Sequence, residues 1–367
     1  MAKKKENEFK RILCLIDSLS GGGAERQMAY LAVGLKRQGF FVKFVTFYNE
    51  SSLYKEYVEN NGIKVECNLN GSNKFKRILE IRNLVKKFKP EVVITYKEGV
   101  SMSACLAKYL TPFYLIVSER NTTQQLSKYE RIKFWLYNKA DKIISNSYSQ
   151  YNFILKHYPK LGSKSEVITN TIDLETFIPP LNSPKNERFT IISAARVMKQ
   201  KNTLGLLKAI KILKERNIPV VFKWFGLQTK EYYQQCLKLV NELEIQDYIS
   251  FFPPQKDIVT SYQEADAFCL PSIYEGFPNV VCEAMACGLP IVCSDVCDNP
   301  IIVEDSVNGF LFDCNNPENI ADSIVKIISI SEEEREIMKR KNITKINNLC
   351  SNTKFIKSYI KLFPNPQ

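Results

Sequence analysis

The strongest constraint on the fold is the repeated alternation of short apolar segments with longer amphipathic ones. RILCLID (11–17) has the composition of a buried strand, and AERQMAYLAVGLKRQ (24–38) has helical periodicity that ends at Gly39. FFVKFVTF (40–47) has the composition of the next strand. A strand–helix–strand unit of this kind builds a parallel sheet, which needs helices on both faces. The sequence therefore predicts an α/β fold.

This alternation of strands and helices occurs in two series along the chain. The segment between the two series is IPPLNSPKNE (178–187), whose proline and polar residues predict a linker. The predicted strands before it are 11–17, 40–47, 64–69, 91–96, 113–120, 142–147 and 165–170, and those after it are 189–195, 220–226, 248–252, 267–272, 290–295 and 309–313. We predict two doubly wound domains, over residues 1–180 and 181–345, and a C-terminal helix within 346–367 that packs back on the N-terminal domain.

The charge balance favours anionic partners. Basic residues outnumber acidic ones by 51 to 39, a net charge of +12. Nucleic acid, phosphorylated ligands and an anionic membrane surface all fit such an excess, and composition alone does not choose among them. The N-terminal MAKKKENEFKRILCLIDSLS has no apolar stretch of signal-peptide length, and the longest apolar run, 110–117, is too short to span a bilayer. We expect a cytoplasmic protein, soluble or peripheral to a membrane.

The cysteines do not suggest a metal site. There are 11 of them, and the densest group is Cys282, Cys287, Cys293 and Cys297. Zinc sites commonly use shorter gaps and often histidine, and the only histidine of this chain is His157. We therefore expect buried thiols in a reducing compartment and no bound metal.

The most informative motif is PSIYEGFPNVVCEAMACGLPIVCSD, from residue 271 to 295. Pro278 suits the first position of a helix, and the amides of residues 279–281 would then be free to bind an anion. Glu283 lies five residues after Pro278, or ~7.5 Å along a helix axis. That separation suits a ligand with a phosphate at the helix start and a ribose at Glu283. Glu275 would face the group on the other side of the phosphates.

A second loop supplies the cations that a diphosphate needs. SAARVMKQKN (193–202) follows the first strand of the second domain, at the carboxyl edge where open α/β sheets bind ligands. Arg196 and Lys201 in this loop are candidates to hold a pyrophosphate. Each feature alone is common on protein surfaces, and it is their order along one sheet that points to a nucleotide site.

With these motifs the chain resembles the retaining glycosyltransferases of family 4. SLSGGGAERQ (18–27), VITNTIDLETF (167–177), RVMKQK (196–201), the E-x7-E run (275–283) and VEDSVNGFLF (303–312) match that family's pattern. The resemblance implies the GT-B fold, in which two Rossmann-like domains face each other across a cleft. It also implies transfer of a sugar from a nucleotide diphosphate donor, most simply UDP-linked, with retention of configuration and without a metal or other cofactor.

The resemblance assigns roles to residues of both domains. Glu275, Arg196 and Lys201 would carry catalysis, with Glu275 at the sugar hydroxyls and the two cations at the diphosphate. Glu283 would hold the ribose, and Gly22 and Gly23 would belong to a loop that closes over the donor. The full donor-binding set that it implies is Gly22, Gly23, Arg196, Lys201, Glu275, Gly276, Phe277, Pro278, Asn279, Val280 and Glu283.

The first domain departs from the family pattern. Many members carry a histidine after a first-domain strand, whereas this chain has Glu119, Arg120 and Asn121 in VSERNT (117–122). We treat these three residues as a possible first-domain site. In the second domain, Pro253 and Pro254 replace a usual glycine, which leaves the base preference open, and Ile301 stands where a glutamate is common.

The acceptor is expected on the first domain. The segment KYERIKFWLYNKADK (128–142) interleaves basic and aromatic residues, which suits docking at an anionic membrane. Its members are Lys128, Arg131, Lys133, Lys139, Phe134, Trp135 and Tyr137. An ordinary amphipathic helix packed on the sheet fits the same pattern. We favour a lipid-linked saccharide acceptor at the inner face of the cytoplasmic membrane, as in the synthesis of capsule, O-antigen or exopolysaccharide.

Two other functions remain to be weighed. A nucleotide-sugar epimerase could share the fold but would lack the E-x7-E run and the Arg–Lys pair. A basic nucleic-acid-binding protein would concentrate its charge in one stripe with a binding motif, whereas here the charge is scattered and no nucleic-acid partner is expected.

Overall fold

A computed structural model describes residues 10–49, 52–182, 186–255 and 257–364. The first nine residues and 183–185 of the predicted linker therefore lie outside the described part. The chain divides into two compact units: unit 1 contains the residues up to Thr171 together with those from Asn352 onward, and unit 2 spans Ile172–Ser351. Unit 1 is thus closed by the C-terminal segment, and the divisions fall at 171/172 and 351/352.

Unit 1 is built on a seven-stranded parallel sheet with the strand order β3-β2-β1-β4-β5-β6-β7. Its strands are β1 (Arg11–Leu15), β2 (Phe41–Thr46), β3 (Val65–Cys67), β4 (Val92–Tyr96), β5 (Tyr114–Glu119), β6 (Lys142–Ser145) and β7 (Ser165–Val167). The order reverses between β1 and β4, and such a switch point is where ligands bind in open parallel sheets.

Helices cover both faces of this sheet. They are α1 (Gly23–Arg37), α2 (Leu53–Asn60), α3 (Lys74–Phe88), α4 (Glu98–Leu110), α5 (Lys128–Tyr137), α6 (Tyr148–His157) and the C-terminal α14 (Asn352–Ile360). The last of these packs against α1 and buries Phe355, Ile356 and Tyr359 in the core of unit 1.

Unit 2 has a six-stranded parallel sheet in the order β10-β9-β8-β11-β12-β13. Its strands are β8 (Phe189–Ala194), β9 (Val220–Phe225), β10 (Ile249–Phe252), β11 (Ala267–Leu270), β12 (Ile291–Ser294) and β13 (Gly309–Phe312). Its helices are α7 (Thr203–Glu215), α8 (Lys230–Glu242), α9 (Ile258–Gln263), α10 (Asn279–Ala286), α11 (Asn299–Ile302), α12 (Pro317–Ser329) and α13 (Glu332–Leu349). Here the order reverses between β8 and β11.

The prediction of two doubly wound α/β domains is confirmed, and each predicted strand is present with ends trimmed by a residue or more. Four helices were not predicted: α2, α6, α12 and the single turn α11. The first three begin at a capping side chain, Ser52, Ser147 or Asn316, which accepts hydrogen bonds from amides of the first turn. These caps were the available sequence signal, and α11 has none.

The strands are buried on both faces, which explains their continuous apolar composition. The side chains of β8, β9, β11 and β12 enter two apolar clusters, one on each side of the sheet of unit 2. Among the described residues, no helix combines the length and the apolar character needed to cross a bilayer.

Candidate active site

Three of the predicted donor residues lie on adjacent loops at the switch point of unit 2. The loop after β8 carries Arg196 and Lys201, and the loop after β11 carries Glu275. These strands are neighbours, paired through Ala267–Ile191 and Phe268–Ile192. Both loops therefore leave the same carboxyl edge of the sheet, side by side, where a ligand of an α/β domain is expected.

Lys201 and Glu275 form an ion pair at the centre of this edge. The Lys201 Nζ lies 2.6 Å from Oε1 of Glu275, and their side chains are only 14% and 8% exposed. Charges with so little water around them interact far more strongly than a surface pair. The sequence predicted that both residues belong to one site, but their direct pairing is a finding of the structure.

Backbone and side-chain contacts fix the two loops to each other. The amide of Ile273 donates to the carbonyl of Gln200 at 2.8 Å, and the Gln200 side chain donates to the carbonyl of Tyr274 at 2.9 Å. Gln200 thus places Lys201 opposite Glu275. Sequence reasoning did not identify Gln200, because its role depends on which loops are adjacent.

A third loop, after β12, supports Glu275 from the other side. The Glu275 amide donates to Sγ of Cys297 at 3.5 Å, and Cys297 has a left-handed backbone with φ of 52°. The Ser294 hydroxyl donates to the carbonyl of Ser272 at 2.6 Å. Cys297 therefore contacts the site, which the sequence did not indicate.

Arg196 is exposed and makes no ion pair with a described residue. The backbone just before it is held tightly: Nε1 of Trp224 donates to the carbonyl of Ala195 at 2.7 Å. A Cβ at Gly226 would lie 2.0 Å from that same carbonyl oxygen, so only glycine fits there. The guanidinium of Arg196 thus projects from a rigid strand end and is available to an anion.

The helix that follows Glu275 differs in one respect from the sequence prediction. Helix α10 begins at Asn279, and Pro278 is its N-cap residue and not its first helical residue. The amides of Asn279 and Val281 donate to the carbonyls of Phe277 and Pro278, both at 3.0 Å. Of the three amides expected to be free for an anion, those of Asn279 and Val281 are therefore already used, and the expectation is wrong for these two.

Glu283 lies inside α10 and is 3% exposed. One of its carboxylate oxygens accepts a hydrogen bond from the Tyr262 hydroxyl at 3.3 Å. Burial raises the pKa of the Cys287 thiol to about 12, and the Glu283 carboxylate makes a smaller contribution to that rise. Glu283 therefore lies at the boundary of an apolar cluster, and Tyr262 is a supporting residue that the sequence did not reveal.

The glycine loop of unit 1 folds over a carboxylate. Gly21 has a φ of 107°, and a Cβ at Gly22 would lie 2.5 Å from an oxygen of Glu25. Lys97 joins Glu25 at 2.6 Å and Asp17 at 3.0 Å, and it does so from a left-handed backbone with φ of 68°. Gly22 is thus the N-cap residue of α1 and Gly23 its first residue, and Gly22 packs against Glu25, one of the two carboxylates paired with Lys97.

The three residues of the possible first-domain site point to different surroundings. Glu119 is buried and accepts hydrogen bonds from Lys133 at 2.8 Å and from the Tyr137 hydroxyl at 2.5 Å. Burial raises the pKa of its carboxyl, and the ammonium of Lys133 opposes that rise. Arg120 turns to the other side of the strand, and Asn121 is exposed. The structure therefore does not bring the three together.

Helix α5 presents fewer basic and aromatic side chains than its sequence predicts. Lys133, Phe134 and Tyr137 are buried, and Lys133 pairs with carboxylates at 2.6 to 3.1 Å. Trp135 and Ile132 are 62% and 53% exposed. The outward face is therefore Trp135 and Ile132 with exposed Lys128, Arg131 and Lys139.

The described residues contain no cluster of three metal-ligating side chains. Cys282, Cys287 and Cys293 are buried in one apolar cluster of unit 2, and burial raises the pKa of the Cys293 thiol. His157 ends α6 in an exposed position against the ring of Phe153. The three cysteines are thus packed in the apolar core of unit 2, and His157 lies at the end of a helix of unit 1.

Comparison with known families agrees with this arrangement. Residues 21–176 match a model described as Glycosyltransferase Family 4, and residues 175–345 match one described as Glycosyl transferases group 1. The chain therefore consists largely of two glycosyltransferase domains, one like family 4 and one like group 1. The boundary between the two matches lies close to Ile172, where unit 2 of the structure begins.

Individual relatives resemble the chain over most of its length. An uncharacterized glycosyltransferase of Haemophilus influenzae is 26% identical over 85% of this chain and 88% of its own. The UDP-Gal:alpha-D-GlcNAc-diphosphoundecaprenol alpha-1,3-galactosyltransferase of Escherichia coli is 25% identical over 69% and 70%. Anabaena Alr3699/HepE, solved with UDP-glucose, superposes with a TM-score of 0.83 at 18% identity, over 96% of this chain and 98% of its own.

Proposed function

We propose that this glycosyltransferase moves a hexose or N-acetylhexosamine from a UDP-linked donor to a hydroxyl of a lipid-linked or other saccharide acceptor, with retention of configuration. The observation that carries the proposal is the shielded Lys201–Glu275 ion pair at the switch point of unit 2. A cation and a carboxylate held together at that edge match a ligand with an anionic diphosphate next to a hydroxyl-bearing sugar.

The donor would be bound by charges that are already in place. Arg196 and Lys201 face the diphosphate, Glu275 accepts hydrogen bonds from sugar hydroxyls, and Glu283 accepts them from the ribose. The solved complex of Anabaena Alr3699/HepE with UDP-glucose supports a UDP-linked donor for a chain of this fold. Lys201 is paired with Glu275 before the donor binds. On binding, the Lys201 ammonium would also interact with the phosphate, and its interaction with Glu275 would weaken.

In the reaction, the bond between the anomeric carbon and the diphosphate oxygen breaks, and its electron pair leaves with the diphosphate. The acceptor oxygen bonds to the same carbon from the same face, and its proton passes to an oxygen of the departing phosphate. The two fixed cations stabilise the charge that develops on the leaving group, which is the largest electrostatic demand of the step. We expect them to do this without a metal ion or other cofactor.

Two observations support the proposed acceptor and location. The printed name of the Escherichia coli relative specifies a diphosphoundecaprenol-linked sugar as acceptor. The outward face of α5 offers Trp135 and Ile132 between basic residues, a combination that suits an anionic membrane surface. We therefore propose peripheral contact with the inner face of the cytoplasmic membrane and a role in capsule, O-antigen or exopolysaccharide synthesis.

A thermal-shift screen of the purified chain tests the donor. UDP, GDP, ADP, NAD and a short oligonucleotide would be compared on the unchanged protein and on Glu283→Ala. The control is Glu242→Ala, because Glu242 is an exposed glutamate of the same unit. We expect stabilisation by UDP that is lost in Glu283→Ala and kept in Glu242→Ala.

The other outcomes identify the alternatives. Stabilisation by the oligonucleotide alone, unaffected by Glu283→Ala, would replace this proposal with a nucleic-acid-binding function. Stabilisation by NAD alone would favour an epimerase. Stabilisation by GDP or ADP in place of UDP would support the proposed transferase function but would change the nucleotide base of the proposed donor.

A further inference from the structure

An arginine with neutral partners lies at the carboxyl edge of the sheet of unit 1. Arg120 directly follows β5, and its guanidinium donates to the Tyr96 hydroxyl at the end of β4, to the Tyr359 hydroxyl of α14 at 2.7 Å and to Oδ1 of Asn170 at 2.7 Å. The guanidinium carbon also lies 4.0 Å from the centre of the Tyr96 ring. Asn170 follows β7, so residues from the ends of three strands and from the C-terminal helix meet at the Arg120 side chain.

The charge of this arginine is not neutralised by the residues around it. No described carboxylate pairs with Arg120, and the adjacent Glu119 faces Lys133 on the other side of β5. Burial raises the pKa of Tyr96 well above its usual range, so its hydroxyl stays neutral. Tyr96 and Tyr359 share a hydrogen bond at 2.8 Å, which fixes both hydroxyls next to the guanidinium.

The guanidinium also has unused donors. It carries five N–H groups, and three hydrogen bonds go to the two tyrosines and Asn170. The N–H on Nε is buried without an acceptor among the described residues. A half-buried cation with neutral partners and spare donors is costly to maintain, and an incoming anion would remove that cost.

We propose that Arg120 is the centre of a second anion site, formed within unit 1, that binds a phosphate group of the acceptor. Two phenol hydroxyls and one amide oxygen hold the guanidinium at the sheet edge where ligands of α/β domains bind. This assignment of the phosphate to the acceptor rests on the proposed function; the anion site itself rests on the geometry of unit 1.

Tyr359 is a positioning residue for this site. It reaches Arg120 from α14, so the C-terminal helix orients a binding group of unit 1 as well as closing its core. Removing its hydroxyl would leave the helix packing intact and take one acceptor from the guanidinium. Affinity for the anion would then fall while the fold is retained.

The test separates this site from the donor site. A water-soluble, short-chain prenyl diphosphate is titrated by calorimetry into the full chain carrying Arg196→Gln and Lys201→Gln, which removes the donor cations. We expect binding to persist and Arg120→Gln to weaken it about 10- to 100-fold, the usual range for a charged hydrogen-bonded contact. Tyr359→Phe should weaken it several-fold. Arg37→Gln, an exposed arginine of unit 1, should leave it within about twofold.

Several results would overturn the proposal. Equal affinity for the prenyl diphosphate with and without Arg120→Gln, or no binding to the doubly substituted chain, would show that Arg120 serves only to hold α14 in place. A lower melting temperature of Arg120→Gln without a change in affinity would indicate the same structural role. A loss of UDP affinity on Arg120→Gln in the otherwise unchanged chain would assign the phosphate to the donor. If Arg120→Gln fails to fold, Arg120→Lys and Tyr359→Phe decide. If the chain does not bind UDP but binds the prenyl diphosphate in a manner that depends on Arg120, the proposed donor is refuted and the anion site is supported.

Discussion

Replacing Glu275 by glutamine should destabilise the free protein and strengthen nucleotide binding at the same time. In the free protein the carboxylate of Glu275 lies 2.6 Å from the ammonium of Lys201, and both side chains are largely shielded from water. Glu275→Gln keeps the shape of the side chain and removes its charge. Lys201 is then a shielded cation without its counter-ion, and it becomes fully available to a diphosphate.

The size of the effect follows from the geometry. At 2.6 Å and an effective dielectric constant of about 20, the pair attracts by roughly 6 kcal/mol, most of which is offset by the cost of desolvating both groups. Because the pair is shielded but lies at the sheet edge, we expect a net loss of about 2 kcal/mol in the free energy of unfolding, between the values for surface and buried pairs. For a unit of this size, that lowers the melting temperature by about 4–8 °C.

Thermal unfolding with and without UDP measures both changes. We expect Glu275→Gln to melt earlier without ligand, to gain more from UDP than the unchanged protein, and to bind UDP about 2- to 10-fold more tightly while sugar transfer is lost. Lys201→Gln should also melt earlier, but it should lose UDP affinity. An unchanged melting temperature of Glu275→Gln, with an unchanged response to UDP, would refute the argument that the pair is both stabilising and part of the donor site.

Three further predictions concern other parts of the chain. Lys133→Met should be strongly destabilising, by about 3 kcal/mol or more, because it leaves three carboxylates around a buried position. The loss should shrink on acidification: burial raises the folded pKa of the Glu119 carboxyl, and Lys133→Met removes the ammonium that opposes that rise. Protonation of Glu119 then favours the folded state, so melting at pH 5.5 and pH 8 should show a larger deficit at pH 8. Gly226→Ala should lower the melting temperature of unit 2 by several degrees, since its Cβ would lie 2.0 Å from the carbonyl oxygen of Ala195; normal stability would show that this strand end relaxes freely. Trp135→Ala should reduce cosedimentation with anionic vesicles about tenfold, while Leu227→Ala, an exposed apolar residue of unit 2, should not; equal binding of the two variants would exclude α5 as the membrane contact.

The fold was predictable because its signal is local. Each strand is a short apolar run, each long helix has its own period, and the alternation of the two allows only a parallel sheet with helices on both faces. The helices α2 and α6 were missed because their apolar periodicity is short, although Ser52 and Ser147 mark their starts. Helix α12 carried a helical signal, with Asn316 as its cap and Ile320, Ile324 and Ile327 on one buried face. The loops of the candidate donor site were also predictable, since the carboxyl ends of parallel strands lie at one edge of a sheet, where ligands bind.

The sequence by itself determined the two α/β domains, the loops that contain Arg196, Lys201 and Glu275, and the helix that contains Glu283. Only the tertiary structure decided which side chains are paired: Lys201 with Glu275, and Arg120 with hydroxyls from β4 and α14. Burial and the positions of strands along the chain follow from residue type along a short segment. A pair such as Arg120 and Tyr359 joins positions 239 residues apart, and no local pattern records which of the many basic and aromatic residues will meet once both segments have packed.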